Sequence, residues 1–486
     1  MTDAIIWVVA LPLAGALAAL LLPRLATAVA VGTAVATSVS AAALLRGVAT
    51  QGVLHYELGG WSAGLGIALR ADGLSALLLM MTALVVLAAS IYTSAYLTAP
   101  AERARFWPLW LLLWTALNAL LLSGDLFNLY VTLELLGLSA VALAAFGGKR
   151  AAVAAALRYL LVGLLGSMMF LAGVSLIYAG YGTLDMAQLA HMVTAGPTAW
   201  TALALMTAGL LLKTALFPLH FWLPPAHASA PAPVSAVLSA LVVKASFYLV
   251  LRLWLDLLGG GAGAGGGRWL AELLGVLGTG AVIWGSVLAL RQERLKLLIA
   301  YSTVAQIGYL FMAFPLAVAG SAVAWTGALY LALAHGLAKA AMFMSAGSLL
   351  RFGGHDRIDE LNSAVHRLPL TLTAFALAGV SIMGLPPSGG FIGKWLLLEE
   401  AFRQGRFGLA AAMLLGGALA AAYVFKVVGH AFTPAERERR VRAIPKAMEW
   451  SALLLAVAAI VLGLTLPLIS PLLQVGGASA AAGGAA

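Results

Sequence analysis

Cysteine is absent from all 486 residues. That excludes disulfides, thiol catalysis, thiolate zinc sites and cysteine-held iron–sulfur clusters, and it leaves the redox compartment unmarked. Charge is nearly as scarce. Asp, Glu, Lys and Arg make up 9% of the chain, against about 25% in an average soluble protein. No Lys or Arg precedes the first apolar run, which starts after Asp3. The basic n-region of a signal peptide is therefore missing, and that run reads as a retained helix. No P-loop Gly-Lys-Ser/Thr and no nucleophile–base motif is present either. The chain carries no redox or hydrolytic site of its own that the sequence reveals, and no cofactor and no metal site is expected.

Apolar residues are abundant. They form 63% of the chain, and the mean hydropathy is +1.00. A soluble protein of 50.0 kDa could not solvate its surface with so few charges. The composition is that of an all-α polytopic membrane protein whose first partner is the lipid bilayer. The net charge of +10 does not point to nucleic acid, because the basic residues sit in short loops between apolar runs.

A spanning helix needs about 20 mostly apolar residues. Fourteen such stretches are predicted, near 4–22, 26–45, 73–97, 106–123, 126–146, 156–179, 198–219, 231–257, 269–290, 297–315, 320–349, 370–398, 407–430 and 449–470. Residues 51–70, with Tyr56, Trp61 and turn glycines, read as a small hairpin cap. Residues 259–267 contain only Gly and Ala and read as a flexible linker; residues 476–486 read as a disordered tail. Loops after odd-numbered spans hold 17 basic residues and loops after even-numbered spans hold 6. Positive charge gathers on the cytoplasmic side. The odd loops are thus expected inside a bacterial-type plasma (inner) membrane, with both termini outside.

Some charges fall where the bilayer should exclude them. Lys213, Lys244, Lys339, Lys394, Lys426 and Glu134 lie within predicted spans, together with His335 and His430. Each charge at the bilayer centre costs roughly 2.5–3.5 kcal/mol, so six cost on the order of 15–20 kcal/mol. That exceeds the net stability of a typical domain, about 5–15 kcal/mol. Lys426 and His430 lie near a helix end and could simply snorkel. Lys394 has that option only if its span stops early. Glu134, Lys213 and Lys244 are too deep for it, and His335 and Lys339 share one helical face at i and i+4. Desolvation favours the neutral amine and a nearby carboxylate favours the ammonium. A row of such groups can therefore hold and release protons.

A weak repeat is also visible. Leu223-Pro224-Pro225 follows the seventh span and Leu385-Pro386-Pro387 interrupts the twelfth, 162 residues and five spans later. An odd number of spans would invert the second unit, as in many transporters. Two triplets alone leave duplication and coincidence both open.

Specific motifs resemble a known family. Lys213-Thr-Ala-Leu-Phe-Pro-Leu-His-Phe-Trp-Leu-Pro-Pro-Ala-His227, then Ala230-Pro-Ala-Pro233, then Lys244, is similar to the core of the proton-translocating antiporter-like membrane subunits. These occur in Mrp-type Na+/H+ antiporters, respiratory complex I and membrane-bound hydrogenases. Gly124-Asp-Leu-Phe-Asn-Leu-Tyr130 with Glu134, Tyr301-Ser302 with Gln306-Ile-Gly-Tyr309, His335 with Lys339, and Gly384-Leu-Pro-Pro-Ser-Gly-Gly-Phe391 with Lys394 extend the likeness in order.

The resemblance implies about fourteen helices with two inverted five-helix repeats and broken helices 7 and 12. Units at 1–105, 106–258, 269–430 and 431–486 follow, the second and third being the repeats. Glu134 and Lys213 would be the interacting pair. Lys244, His335 and Lys339 would form the central relay, and Lys394 the terminal proton site. His220, His227 and Lys426 would be secondary. The implied function is H+ translocation, with Na+ exchange if the chain is the D subunit of an Mrp-type antiporter, beside other membrane subunits. The alternative is a proton-pumping subunit of complex I or a hydrogenase. Pro225 stands where many complex I relatives have Asp, and His220 where an Mrp D subunit would have Tyr, so the branch stays open. A self-sufficient transporter of organic solutes is the remaining class, and transport by the single chain would identify it.

The charge bias makes a direct prediction. Single cysteines placed at Arg103, Arg294 and Arg440 should react with an impermeant thiol reagent only from the cytoplasmic side. Reaction of any of the three from outside would overturn the helix count.

Overall fold

The apolar runs fold as helices. A computed structural model describes every residue except 1–2, 62–65, 195, 259–265, 319, 363, 435–441 and 477–486. It begins with α1 (Asp3–Leu21) and α2 (Ala26–Gln51). The hairpin β1 (Leu54–Glu57) and β2 (Ala68–Ala71) follows, antiparallel with Leu54 opposite Ala71, where the sequence predicts a cap. Next come α3 (Gly73–Tyr96), α4 (Pro100–Leu122), α5 (Leu126–Ala144), α6 (Arg150–Tyr181), the short α7 (Met186–Met192), α8 (Pro197–Thr214), α9 (Leu223–Ser229), α10 (Ala232–Val237) and α11 (Val243–Arg252). The second half holds α12 (Gly266–Arg291), α13 (Leu295–Ala317), α14 (Ala322–Gly353), α15 (Ala364–Arg367), α16 (Pro369–Met383), α17 (Gly389–Arg403), α18 (Phe407–Phe432), α19 (Lys446–Val461) and α20 (Leu466–Gln474).

Thirteen stretches of the described residues are long and apolar enough to cross a membrane. The remaining predicted span, the twelfth, is α16 and α17 together, too short singly because the helix breaks between them. Most of the predicted linker and tail lies outside the described residues; Gly266 and Gly267 open α12. Continuous α10–α11 and α14 form the centre, with their most apolar windows wholly buried, whereas α1, α2 and α6 lie outside with many exposed apolar side chains. Glycines let neighbours close in. A Cβ on Gly209 of α8 would run into the Gly166 carbonyl of α6, and one on Gly308 of α13 into that of Gly278 in α12. Small residues at helix crossings are the usual device for close packing in lipid.

Two helices break. α8 ends at Thr214, Ala215 takes a left-handed backbone (φ 57°), and the chain turns through Phe217-Pro218 before α9 resumes. α16 ends at Gly384 (φ 84°), and Leu385-Pro386-Pro387 carries the chain to α17. Helices 7 and 12 are therefore broken, as the resemblance implies. The two Leu-Pro-Pro triplets are not equivalent, however. The second lies in its break, while the first opens α9, where prolines suit the first helical turn.

The outer end, as the charge bias assigns it, is tied by an ion cluster that the sequence does not announce. Asp72 caps α3, its side chain accepting from Ser75 N while Ser75 Oγ accepts from Asp72 N. Arg252, in the last turn of α11, donates to Asp72 Oδ1 at 2.6 Å. Its other guanidinium nitrogen lies 3.6 Å from Asp256. Arg70 of β2 lies 3.6 Å from Asp72 and 3.9 Å from Asp256. α20 closes the same end: Gly73 N donates to Val475 O and Arg70 to Gly476 O. Sequence counting places Arg252 and Lys296 in loops; both are buried. Removing them leaves sixteen basic loop residues against five, the same bias.

Burial pushes the Asp72 carboxyl up, but Arg252 and then Arg70 outweigh it and hold it below the usual carboxylate range. A depressed carboxyl contributes stability above its unfolded value, about 3.9, and loses it as pH falls through the folded one. Asp72→Asn leaves Arg252 short of a buried counter-charge and should destabilise the fold by about 3–5 kcal/mol. Thermal unfolding of the purified complex should show that loss at neutral pH and a much smaller one once the pH has fallen through the depressed folded-state value of Asp72. An unchanged Tm at neutral pH would show that the cluster is dispensable.

Candidate functional site

Buried nitrogen bases gather at the two helix breaks and on the central helices. At the first break Glu134, on α5, accepts from Lys213 Nζ at 3.0 Å. Ser167 of α6 also donates to Glu134. Lys213 is in the last turn of α8, two residues before the left-handed Ala215, and its stem packs beside Gly166. The helix break thus presents this ammonium at mid-bundle. The pair faces a small space lined by Gly137, Tyr159, Gly163 and Ser246.

Lys244 belongs to the central stretch Ala232–Leu257. It lies in the first turn of α11, and its Nζ donates to Ser239 O at 2.5 Å. Ser239 belongs to a π-helical turn, Leu238–Val242, between α10 and α11. Such bulges widen a helix locally, free its carbonyls and recur at functional sites. The Ser239 hydroxyl also meets that of Thr303 at 2.8 Å, joining this bulge to α13.

His335 and Lys339 lie one turn apart on α14, both fully buried. Lys339 Nζ donates to Ile299 O at 3.1 Å and also to the Ser302 hydroxyl, so the Tyr301-Ser302 motif is in contact with the lysine. His335 lies within electrostatic reach of Lys244, Lys339 and Lys394. Neither of its ring nitrogens has a hydrogen bond among the described residues. Leaving such a group unpaired costs about 1–3 kcal/mol, and native interiors accept it chiefly where the group has work to do.

Lys394 stands at the second break. Its Nζ donates to Ile382 O at 2.7 Å and lies 4.4 Å from the centre of the Tyr309 ring. A cation is favoured at the carbonyl end of α16 both by the freed acceptors and by the helix dipole. Gln306 donates to the same Ile382 carbonyl at 3.3 Å. The motif residues Gln306 and Tyr309 therefore line the Lys394 site.

The secondary candidates separate. His227 of α9 is buried, stacked on Phe343, and in electrostatic reach of Lys296, Lys339 and Lys244. His220 stacks on Phe217 at the first break. Lys426 instead donates to Leu290 O and Gln292 O, capping the end of α12. Its predicted place in the relay is not supported by contact with the other members, and capping explains it. His430 lies in the last turn of α18.

One buried amine escapes the sequence reading. Lys296, the second residue of α13, donates to Ala228 O at 3.3 Å and also to Ala230 O. It borders a cavity of about 390 Å³ with Tyr96, Lys149, Arg294 and Asp356. Its neighbours in sequence, Arg291 and Arg294, disguise it as a loop charge. Among the described residues, no group of three His, Asp or Glu could hold a metal.

Known proteins share this architecture. A protein of Desulforudis audaxviator (strain MP104C), NADH-quinone oxidoreductase subunit N, is 37% identical over 94% of this chain and 95% of its own length. The Na(+)/H(+) antiporter D subunit of Bacillus subtilis (strain 168) is 30% identical over 81% of this chain and 79% of its own. A chain in the structure of the Mrp complex from Dietzia sp. DQ12-45-1b superposes with a TM-score of 0.87 at 26% identity, covering 97% of this chain and 96% of that one. Residues 123–420, which hold the breaks and the buried lysines described above, match the transmembrane family of the NADH:quinone oxidoreductase and Mrp antiporter subunits, and the chain belongs to that family.

Proposed function

We propose that this chain is the ion-translocating subunit of a multisubunit cation/proton antiporter, moving H+ along Glu134, Lys213, Lys244, His335, Lys339 and Lys394. The observation that carries the reading is the Glu134–Lys213 ion pair, 3.0 Å long and placed in the middle of an apolar bundle beside a helix break. A buried pair is weak support for stability, since apolar residues of the same shape often do as well. Its retention points to use. While Glu134 is in contact, Lys213 keeps its proton. When the pair loosens, the ammonium loses its counter-charge and passes the proton on toward Lys244. Lys244, His335 and Lys339 hand it across the centre to Lys394, where the α16 carbonyls receive the ammonium. His227 is within reach of this central group and serves as a side branch.

Two five-helix units, 106–258 and 269–430, would each supply one broken helix and one lysine beside the break, in inverted orientation. The chain would lie in a bacterial-type plasma membrane with its termini outside, in keeping with the charge bias. The similarity to the D subunit of a Na(+)/H(+) antiporter supports Na+ as the exchanged ion, and the similarity to a chain of the Mrp complex supports a multisubunit setting. The similarity to an NADH-quinone oxidoreductase subunit N favours a second reading, a proton-pumping subunit powered by redox chemistry elsewhere. Purification with flavin or iron–sulfur subunits would select the second, and Na+-dependent proton flux the first.

The pair is tested by two substitutions in the assembled complex. Glu134→Gln keeps the volume and should leave assembly intact while cutting transport at least about a hundredfold, a typical general acid–base contribution. Lys213→Arg should fail similarly, because a guanidinium stays protonated and cannot hand on its proton. Wild-type transport by Lys213→Arg would make this lysine structural.

A further inference from the structure

Resting on the relay reading above, we infer that Asp256 is the outward proton port of that relay, joining Lys244 to an aqueous cavity at the outer end. Three observations meet there. First, α11 lines up Lys244, Tyr248 and Arg252 at successive i+4 positions, and Asp256 follows one turn later. Tyr248 bridges the row: it accepts from Arg252 Nε at 2.9 Å and donates to Leu121 O at 2.8 Å. Second, the helix becomes π-helical over Leu253–Leu258, the stretch that carries Asp256. A π turn re-aims side chains and loosens the ladder where function needs it. Third, two cavities reach this carboxylate. One, of about 300 Å³, is bordered by Asp72, Arg252, Asp256, Ser321, Thr326 and Gln474. The other, of about 30 Å³ and large enough for a water molecule, is bordered by His55, Arg70, Asp185, Tyr248, Arg252 and Asp256.

The two carboxylates of the cluster do different things. Asp72 is spent on structure at one oxygen, taking Arg252 at 2.6 Å and the amide of Ser75. Its other oxygen, Oδ2, is buried at the larger cavity and accepts no hydrogen bond among the described residues. Asp256 is held only at 3.6 Å by Arg252 and 3.9 Å by Arg70, too long for hydrogen bonds, and it is the more exposed of the two. The charged and titratable groups around it are His55, Arg70, Asp72, Asp185, Tyr248 and Arg252. Arg70 and Arg252 each lie against both Asp72 and Asp256, so a metal cation would meet two fixed positive charges there. Hydronium gives its proton to the Asp256 carboxylate, leaving water, and the resulting acid gives it through water to the Lys244 amine, restoring the carboxylate and forming the ammonium. The reverse order releases a proton outward. Arg252 cannot join the transfer, because it stays protonated. It orients the carboxylates.

The test uses the whole complex in proteoliposomes with outer and inner pH set separately. Asp256→Asn should lower transport about tenfold or more. It should flatten the dependence on outer pH while the dependence on inner pH persists, and Asp256→Glu should restore both. Assembled Asp256→Asn with wild-type rate and outer-pH profile would overturn the port. Should that variant fail to assemble, the chain's lack of cysteine allows Thr326→Cys instead. A cationic methanethiosulfonate applied from outside should then modify the cavity and block transport, and complete modification with an unaltered rate would overturn the proposal. Lys244→Met separates the two levels. Transport that survives it sinks the relay itself, whereas transport abolished by it but indifferent to Asp256 sinks only the port.

Discussion

An ammonium inside an apolar bundle has few ways to persist, and the whole architecture answers that constraint. Lys213 persists because Glu134 lies against it. Among the described residues, Lys244, Lys339, Lys394 and Lys296 have no carboxylate at hydrogen-bond distance, and each is instead met by backbone carbonyls. A regular helix has few carbonyls to spare, since each is used by the amide four residues on. Lys339 takes the Ile299 carbonyl within α13 with help from the Ser302 hydroxyl, and the other three draw their acceptors from irregular backbone. Lys394 uses the end of α16 at the second break, and Lys244 uses the π turn before α11. Lys296 uses the gap between α9 and α10. Each of these departures from helical geometry thus has a lysine beside it, which is the membrane rule that irregular backbone occurs only where it lines a functional interior.

Such solvation by carbonyl dipoles is partial, and partial solvation suits transport. A carbonyl accepts from a neutral amine as well as from an ammonium, so a lysine held this way keeps its place when its charge changes. Glu134 differs: its attraction depends on the charge of Lys213. In the proposed relay the pair is therefore the point where geometry and protonation would be coupled, and the carbonyl-held lysines are places through which a proton would travel without large rearrangement.

Much of this was legible in the sequence because charge inside an apolar run is so costly that position alone marks it. Glu134, Lys213, Lys244, His335 and Lys339 stand alone in long apolar stretches, and the structure buries all the amines among them. The broken helices were legible through proline and glycine. Lys296 and Arg252 were not, because they lie next to polar residues near the ends of their runs, where hydropathy cannot tell a snorkelling charge from a buried one. Lys426 reads as a secondary candidate near a helix end, and its head reaches the carbonyls at the end of α12. The Leu-Pro-Pro triplets leave a duplication open in the sequence, because proline both opens helices and breaks them, and only backbone context decides which.

Arginine and lysine divide between two kinds of position. Arg252 is the one buried arginine among the described residues, and it is tied to two carboxylates and a tyrosine hydroxyl. Its charge is permanent, and its planar donors fix the outer ends of α3 and α11 in one arrangement. The buried lysines have no such lock. Each has one compact head group on a flexible stem, able to lose a proton and turn toward another acceptor. A bundle that must keep its outer end closed while charges change within it needs both chemistries. Exchanging them would make the closure pH-dependent and the interior permanently charged, which is the wrong way round for moving protons.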